Sequence, residues 1–272
     1  MKIKNKRIQK IKEAYKETKK SSLLVYLILR TLVILCMILQ ILNGEWENAA
    51  LCLLSLILFV IPFFIQKKFK ITLPNALESI IFIFIFSAEI LGEINNFYGI
   101  IPYWDTMLHT LNGFLAAGVG FSLIDLLNKN SKNVRLSPLY LAIVSFCFSM
   151  TIGVLWEFFE FSMDYYFKLD MQKDRIVETI SSVYLDPDKS NTPVIIDNID
   201  KTIIYSEDKD GDTTETIING YLDIGIIDTM KDLVVNFIGA ITFSIIGALY
   251  VSNRDKYKLA SNFIPTRASS KY

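Results

Sequence analysis

The chain has 272 residues and a formal net charge of zero, and 52% of its residues are hydrophobic. Soluble domains spread their charges along the chain, whereas here charged segments separate apolar runs of roughly 20 residues. This composition excludes a disordered chain, a disulfide-stapled secreted domain and a nucleic-acid-binding protein. It indicates a polytopic membrane protein, because about 20 helical residues span a hydrocarbon core of about 30 Å.

The apolar runs predict six membrane-spanning helices, because only helices satisfy every backbone group in lipid without closing a barrel. Residues 1–21 then form a basic N-terminal segment, residues 22–166 hold the first five helices, and residues 252–272 form a basic tail. The predicted spans are residues 22–42, 49–65, 76–97, 104–127, 139–166 and 226–251.

Lys and Arg are dense in the N-terminal segment, the second and fourth connections and the tail, and they are absent from the first and third connections. Positive residues favour the cytoplasmic side, so both termini are predicted to be cytoplasmic. Residues 167–225 then form an extracytoplasmic loop. The residues that set this bias after the N-terminal segment are Lys67, Lys68, Lys70, Lys129, Lys132, Arg135, Arg254, Lys256, Lys258, Arg267 and Lys271.

The loop 167–225 contains short β-branched runs separated by turn residues. Asp210-Gly211 is typical of a hairpin turn, and we expect a β-meander over residues 193–219. The predicted fold class is therefore an all-α integral membrane protein with six transmembrane helices and a small β-rich insertion between helices five and six.

Four of the six spans carry ionisable and amide residues spaced three or four apart, so each set lies on one helical face. A charge at the bilayer centre costs about 2.5–3.5 kcal/mol on insertion scales and usually marks function. The predicted topology puts all four faces in the outer half of the membrane, which indicates one water-accessible cavity. The sets are Glu89, Glu93 and Asn96; Asp105, His109 and Asn112; Glu157, Glu160 and Asp164; and Asp228, Asp232 and Asn236.

Eight carboxylates in this region have only His109 and Lys231 as basic neighbours. So many like charges cannot all stay ionised in a low dielectric without cations, so several are protonated or metal ions bind among them. Carboxylates with one imidazole suit a divalent ion, and helix bundles build di-metal sites from such residues. The alternative is that these side chains only hydrogen-bond neighbouring helices together.

Other intramembrane residues predict packing rather than chemistry. Small residues on spans four and six allow helices to approach closely, and Asp125, near the cytoplasmic end of span four, is expected to be solvated. The glycines concerned are Gly113, Gly118, Gly120, Gly239 and Gly247.

Three segments form a recognisable set. The first two are residues 104–113, WDTMLHTLNG, and residues 156–160, WEFFE. The third, residues 223–239, contains the motifs DIG and DTMKD, followed by Asn236 and Gly239. The set resembles the YjdF-like family of bacterial inner-membrane proteins. The resemblance implies a multi-pass protein of the bacterial cell membrane and supplies no reaction.

The leading hypothesis is a metal-dependent hydrolase or transferase that acts on lipid or cell-envelope substrates. The metal would lower the pKa of a bound water, Glu89 or Asp164 would act as general base, and Lys231 would neutralise developing charge. Alternatives are a cation- or proton-coupled transporter or ion sensor, and an envelope scaffold; the metal identity and oligomeric state stay open. The proposed divalent-metal ligands are Asp105, His109, Glu157, Glu160, Asp228 and Asp232.

Overall fold

The computed structural model describes residues 2–130, 136–209 and 211–267. Outside these residues lie three of the positive residues that predict the orientation, Lys132, Arg135 and Lys271. Asp210 of the predicted turn lies outside them as well. The described helices are α1 (Lys2–Asn43), α2 (Trp46–Leu58), α3 (Ile61–Phe69), α4 (Asn75–Phe86), α5 (Phe97–Ile100), α6 (Trp104–Asn130), α7 (Pro138–Phe167) and α8 (Ile226–Ser252), with a π-helical segment Ser87–Ile94 directly after α4.

Among the residues that the structure describes, five stretches of helix are long and apolar enough to cross a membrane. The predicted third span, residues 76–97, is not among them, because α4 passes into the π-helical segment Ser87–Ile94 and Asn96 then takes a left-handed conformation with φ +54°. The coarse prediction of a multi-pass helical membrane protein is confirmed, and the sixth span stays a prediction. The five stretches are Ser22–Asn43, Trp46–Phe69, Trp104–Asn128, Pro138–Phe167 and Ile226–Ser252.

The chain forms two compact units, one of residues 1–153 with 235–272 and one of residues 154–234. In the first unit, aromatic rings join α1, α4 and the residue directly after α2: the Phe82 ring lies 5.2 Å from Tyr26 and 5.7 Å from Phe59 between centroids. A second cluster in this unit packs Phe121 and Phe243, both fully buried. Burial of large aromatic side chains is the main packing contribution of such residues.

Glycine brings α6 and α8 into backbone contact in the first unit. A Cβ atom at Gly113 would lie 2.1 Å from the Asn236 carbonyl oxygen, and one at Gly239 would lie 2.0 Å from the Thr110 carbonyl oxygen. Neither position can carry a side chain without moving a helix, because the obstacle is backbone. The prediction that these glycines allow close helix packing agrees with these distances, and the structure adds that α6 and α8 are each other's partners.

Buried polar side chains hold α7 against α6 in the same unit. The Ser149 hydroxyl donates to the Gly113 carbonyl over 2.7 Å, and the Ser145 hydroxyl donates to the Ala117 carbonyl over 2.7 Å. Both serines are completely buried. These bonds occupy second lone pairs of helical carbonyls, so they join helices without breaking either helix's own ladder.

The chain after α8 folds back onto the first unit. A 3₁₀-helix, Lys258–Phe263, is followed by a short strand, Thr266–Arg267, that pairs antiparallel with the strand Ile71–Thr72. The Phe263 ring packs edge-on against Phe114, with centroids 5.7 Å apart. The tail residues 258–267 are therefore part of the folded core and not a free end.

The expectation that Asp125 is solvated is wrong. Asp125 is 1% exposed, and its Oδ1 accepts a hydrogen bond from the Arg254 guanidinium over 3.0 Å. Arg254 comes from the segment after α8, 129 residues away in sequence, so the spacing of charges along α6 gave no sign of it. A buried carboxylate needs such a partner because it cannot keep its hydration shell.

The second unit contains antiparallel strand pairs in residues 176–222. The hairpin Thr202–Glu207 with Thr213–Ile218 confirms strands on both sides of the predicted turn. The strand Val194–Ile196, however, pairs with Ile180–Ser182, an earlier segment, and so the expected single meander over residues 193–219 is replaced by separate pairs. The pair Ile176–Val177 with Tyr221–Leu222 closes the base of this insertion.

The contact between α6 and α8 predicts unequal effects for two alanine substitutions on one helix. Gly113→Ala places a methyl group against backbone and should destabilise the protein by about 1–3 kcal/mol, as overpacked cores do. Gly118→Ala is the matched control, because its Cβ would meet only the edge of the Phe243 ring, at 3.1 Å. Thermal unfolding in detergent measures both, and equal melting temperatures would contradict the backbone contact.

The Asp125–Arg254 pair predicts a coupling that a double-mutant cycle detects. Arg254→Gln should cost about 1–3 kcal/mol, less than the 3–5 of a fully buried pair because Arg254 is partly exposed. In the Asp125→Asn background the same change should cost much less, because no carboxylate charge is left to stabilise. Additive losses of melting temperature would show that the two side chains do not interact.

Candidate functional site

The first unit carries a carboxylate–imidazole pair at the start of α6. His109 Nε2 lies 3.3 Å from Asp105 Oδ1, one helical turn apart, and the two side chains are 12% and 28% exposed. The N-terminal end of this helix is held in place by Trp104, whose indole N–H donates to the Ser87 carbonyl over 3.3 Å. The pair thus lies beside the π-helical segment, in a helix long enough to cross a membrane.

Two further predicted residues, Glu89 and Glu93, lie within the π-helical segment. The prediction that they share one narrow face with Asn96 is wrong for Asn96, because that residue follows the end of the segment in a left-handed conformation. Such segments are rare and occur often at functional sites. The carboxylate spacing in the sequence is equally compatible with an α-helix, so it could not reveal this conformation.

Asn112 and Asn236 meet in the interior of the first unit. The Asn112 Nδ2 donates to the Asn236 Oδ1 over 3.4 Å, and Asn236 is 1% exposed. A Cβ atom at Gly153 would lie 2.6 Å from the Asn236 Nδ2, so glycine on α7 leaves room for this amide. These asparagines match the hydrogen-bonding role of polar residues between membrane helices.

The second unit contains four buried carboxylates on its two helices: Glu157, Glu160, Asp228 and Asp232, each at most 7% exposed. Their surroundings include one hydrogen bond from an indole and two ion pairs with a lysine. The Trp156 indole N–H donates to Glu160 over 2.8 Å, and the Lys231 ammonium lies 4.0 Å from Asp228 and 3.9 Å from Asp232. The predicted placement of Lys231 next to the acidic residues of α8 agrees with these distances.

Three carboxylates, those of Asp164, Asp228 and Asp223, bind the segment that follows α7. Both oxygens of Asp164 accept backbone N–H groups, from Met171 over 2.7 Å and from Gln172 over 2.8 Å. Asp228 accepts the backbone N–H of Lys173 over 3.1 Å and the guanidinium of Arg175 over 3.3 Å. The geometry of Asp164 is that of a residue that orders a loop.

Asp223 completes the attachment of this segment, residues 171–175, at the start of α8. It accepts backbone N–H groups from Arg175, Gly225 and Ile227 over 2.7, 3.3 and 2.9 Å. Ile227 is in the first turn of α8, so one of the unpaired N–H groups of the helix start is satisfied. Gly225 takes φ +78° directly before the helix, a conformation that glycine adopts without strain.

These hydrogen bonds shift the acidity of Asp223. Partial burial raises its pKa, but the backbone N–H donors of Arg175, Ile227 and Gly225 together hold the pKa below its ordinary value. Asp174 next to it behaves oppositely, because burial and then the charges of Asp170, Asp223 and Asp164 raise its pKa. The attachment therefore depends on ionised Asp223 in a strongly acidic segment.

Arg175 and Gln172 are structural residues of this region that the sequence analysis missed. Gln172 hydrogen-bonds the Thr229 hydroxyl, and Arg175 pairs with Asp228. Neither lies in a spaced pattern, and both act through partners more than 50 residues away. The acidic residues were recognisable because they repeat along a helix, whereas single loop residues carry no such signal.

In the first unit, Asp105 and His109 offer one carboxylate and one imidazole to a metal ion, and Asp232, in the second unit, stays a predicted ligand. Carboxylate oxygen and imidazole nitrogen are ligands that suit divalent ions such as Mn²⁺, Fe²⁺ and Zn²⁺. Glu157, Glu160 and Asp228 stay predicted ligands.

The family model described as "Predicted membrane protein (DUF2238)" matches residues 23–253. The chain belongs to this family. Every candidate site residue, from Glu89 to Asp232, lies within the matched residues, so these residues belong to the family's domain. The resemblance to YjdF-like proteins and the bacterial cell membrane stay predictions. No curated protein and no solved structure matches the chain.

The acidity of Asp223 predicts a pH-dependent attachment of residues 171–175. Because its pKa is lowered in the folded protein, ionised Asp223 stabilises the segment above the ordinary Asp pKa of about 3.9, and this stabilisation is lost as the pH falls through the lower folded value. Hydrogen exchange should show a protected Arg175 N–H at pH 5–7, and Asp223→Asn should remove that protection throughout.

A matched control for this measurement is Asp186→Asn. Asp186 also accepts backbone N–H groups, from Asp188 over 3.0 Å and Ser190 over 2.7 Å, and its pKa is lowered by the Ser190 hydroxyl and those N–H groups. The control should change exchange at Ser190 and leave Arg175 protected. Unchanged protection of Arg175 in Asp223→Asn would show that other contacts hold the segment.

Proposed function

We propose that this family member is a divalent-metal-dependent membrane enzyme, a hydrolase or transferase of lipid or cell-envelope substrates. Its metal ion is bound by Asp105 and His109 of α6 and by Asp232 of α8. The observation that carries the proposal is the Asp105–His109 pair, a half-buried carboxylate and imidazole 3.3 Å apart in a membrane-crossing helix. Ionisable groups are costly at such positions and are retained mainly for function.

The packing of α6 and α8 supports this ligand set. Gly113 contacts the backbone of Asn236, and His109 and Asp232 each precede these residues by four positions in unbroken helices. Four residues are about one helical turn, so each ligand lies on the same helix face as its glycine-contact neighbour and about 6 Å along the axis. The single His of the chain is thereby included in the ligand set.

The other acidic residues contribute to the proposed site in different ways. Glu157 and Glu160 are buried carboxylates of α7 and serve as further ligands or as partners that orient them. Asp228 already accepts hydrogen bonds from Lys173 and Arg175, so it contributes mainly through Lys231, its neighbour. Lys231 neutralises negative charge on the substrate.

The hydrogen-bond contacts of Asp164 also support a choice of general base. Both oxygens of Asp164 already accept backbone N–H groups, so a proton taken from water would have to compete with these hydrogen bonds. Glu89, in the π-helical segment, is therefore preferred over Asp164 as the base. A bound metal would supply an activated water, and Glu89 would accept its proton.

Metal binding tests the proposal directly. The protein purified in detergent, stripped with chelator and dialysed against Mn²⁺ or Zn²⁺, should bind the ion in stoichiometric amount. His109→Ala and Asp232→Asn should each weaken binding by roughly a hundredfold or more, because each removes a ligand. Glu207→Gln is the control, because Glu207 lies on the exposed hairpin strand. The control variant should bind the ion as tightly as the wild-type protein.

Two results would contradict the proposal. One is stoichiometric binding that survives both ligand substitutions, which would put the ion elsewhere. The other is the absence of binding by folded wild-type protein. Cation or proton flux through reconstituted vesicles, lost in His109→Ala, would instead support the transporter hypothesis over the enzyme.

A further inference from the structure

A groove runs along α6 beside its contact with α8, in the first unit. It has a volume of about 450 Å³, within the range of small-molecule sites in proteins. The two helices that form it are both long and apolar enough to cross a membrane. The groove is lined by Tyr103, Thr106, Met107, Thr110, Leu111, Phe114, Gly239 and Thr242.

The wall of the groove is apolar although three threonines line it. The Thr110 hydroxyl donates to the Thr106 carbonyl and the Thr242 hydroxyl donates to the Ile238 carbonyl, each over 2.7 Å. Both hydroxyls are thus satisfied within their own helices. Gly239 has no side chain, and no Cβ atom would fit at this position. The walls of the groove are therefore the Met107 and Phe114 side chains and exposed helix backbone.

The dimensions of the groove match one lipid chain. From Tyr103, directly before α6, to Phe114 the groove follows about ten residues of helical rise, which is about 15 Å, and half of a bilayer's hydrocarbon core is also about 15 Å. The groove begins at the first turn of α6 and ends near the middle of that helix. Its length therefore corresponds to a single leaflet and not to a path across the membrane.

One polar atom marks the end of the groove near the helix start. The Oγ1 of Thr106 is buried and has no hydrogen-bond partner among the described residues. Tyr103, next to it, is 80% exposed and has φ +63°, which is strained for an aromatic residue. An unsatisfied buried hydroxyl costs about 1–3 kcal/mol, so an acceptor on a ligand would stabilise this end.

We propose that this groove binds one acyl chain of a glycerolipid, with the Thr106 hydroxyl donating to the ester carbonyl. The hydrocarbon chain lies along Met107, Leu111 and Phe114, and the headgroup lies at the start of α6, the helix that also carries Asp105 and His109. The inference names the substrate class of the proposed enzyme and depends on that function only for calling the lipid a substrate.

Photo-crosslinking locates the lipid. A benzophenone amino acid at Met107, in protein reconstituted into phosphatidylethanolamine–phosphatidylglycerol vesicles, should crosslink lipid several-fold more than the same amino acid at Ile245. Ile245 is the matched control, because it is 54% exposed on α8 and does not line the groove. Thr242→Phe fills the groove and should reduce the Met107 crosslink to the control level.

The ester contact has its own test. Thr106→Val keeps the side-chain shape and removes the donor, so the preference for ester-linked over ether-linked lipid at Met107 should fall by about threefold to tenfold, the worth of one hydrogen bond. Equal crosslinking at Met107 and Ile245 would mean bulk lipid only and would overturn the proposal. A protein crosslink at Met107 in place of lipid, or an unchanged lipid crosslink in folded Thr242→Phe, would overturn it as well.

The metal measurement separates this inference from the proposed function. Stoichiometric metal binding by Thr242→Phe, together with loss of its lipid crosslink, is the expected result, because the groove residues are not proposed ligands. Lipid crosslinking at Met107 in a protein that binds no metal would keep the groove and reject the enzyme.

Discussion

The structure depends on the backbone contact between α6 and α8. Gly113 and Gly239 each abut a carbonyl of the opposite helix at distances that exclude a Cβ atom. In lipid, helices gain little from burying apolar surface against each other, and close van der Waals contact with interhelical hydrogen bonds drives their association. Glycine provides that proximity here, and the serines of α7 then reach the carbonyls of α6 to join a third helix.

This contact also sets where chemistry can occur in the first unit. Asn236, whose carbonyl meets Gly113, receives the side-chain hydrogen bond of Asn112. One turn before these residues on α6 is His109, paired with Asp105. The apolar groove is lined in part by Thr110 and Gly239, which belong to the same contact. The rigid crossing of the two helices thus fixes the positions of a polar face and of a lipid-sized groove along α6.

Acidic residues in this protein divide by what they contact. Asp164, Asp223 and Asp228 accept backbone N–H groups of residues 171–175 or of the α8 start and therefore order the chain where it leaves and re-enters the helices. Asp125 neutralises Arg254 and fastens the chain after α8. Acidic residues in this protein can therefore order loops as well as bind ions. The hydrogen-bond partners of each residue distinguish the two roles.

The sequence by itself determined the membrane character, most of the spans and the glycines that allow close helix packing. These follow from local periodicity, because apolar length, small-residue spacing and i, i+4 repeats are properties of one helix at a time. Only the tertiary structure decided the π-helical segment at Glu89, the burial of Asp125, the pairing of Val194–Ile196 with Ile180–Ser182 and the attachment of Arg175 to Asp228. Three of these four pair residues that are distant in sequence, and in the fourth the Ser87 carbonyl of the π-helical segment accepts the Trp104 indole N–H. The free energies that select them arise from neighbours that a one-dimensional pattern does not contain.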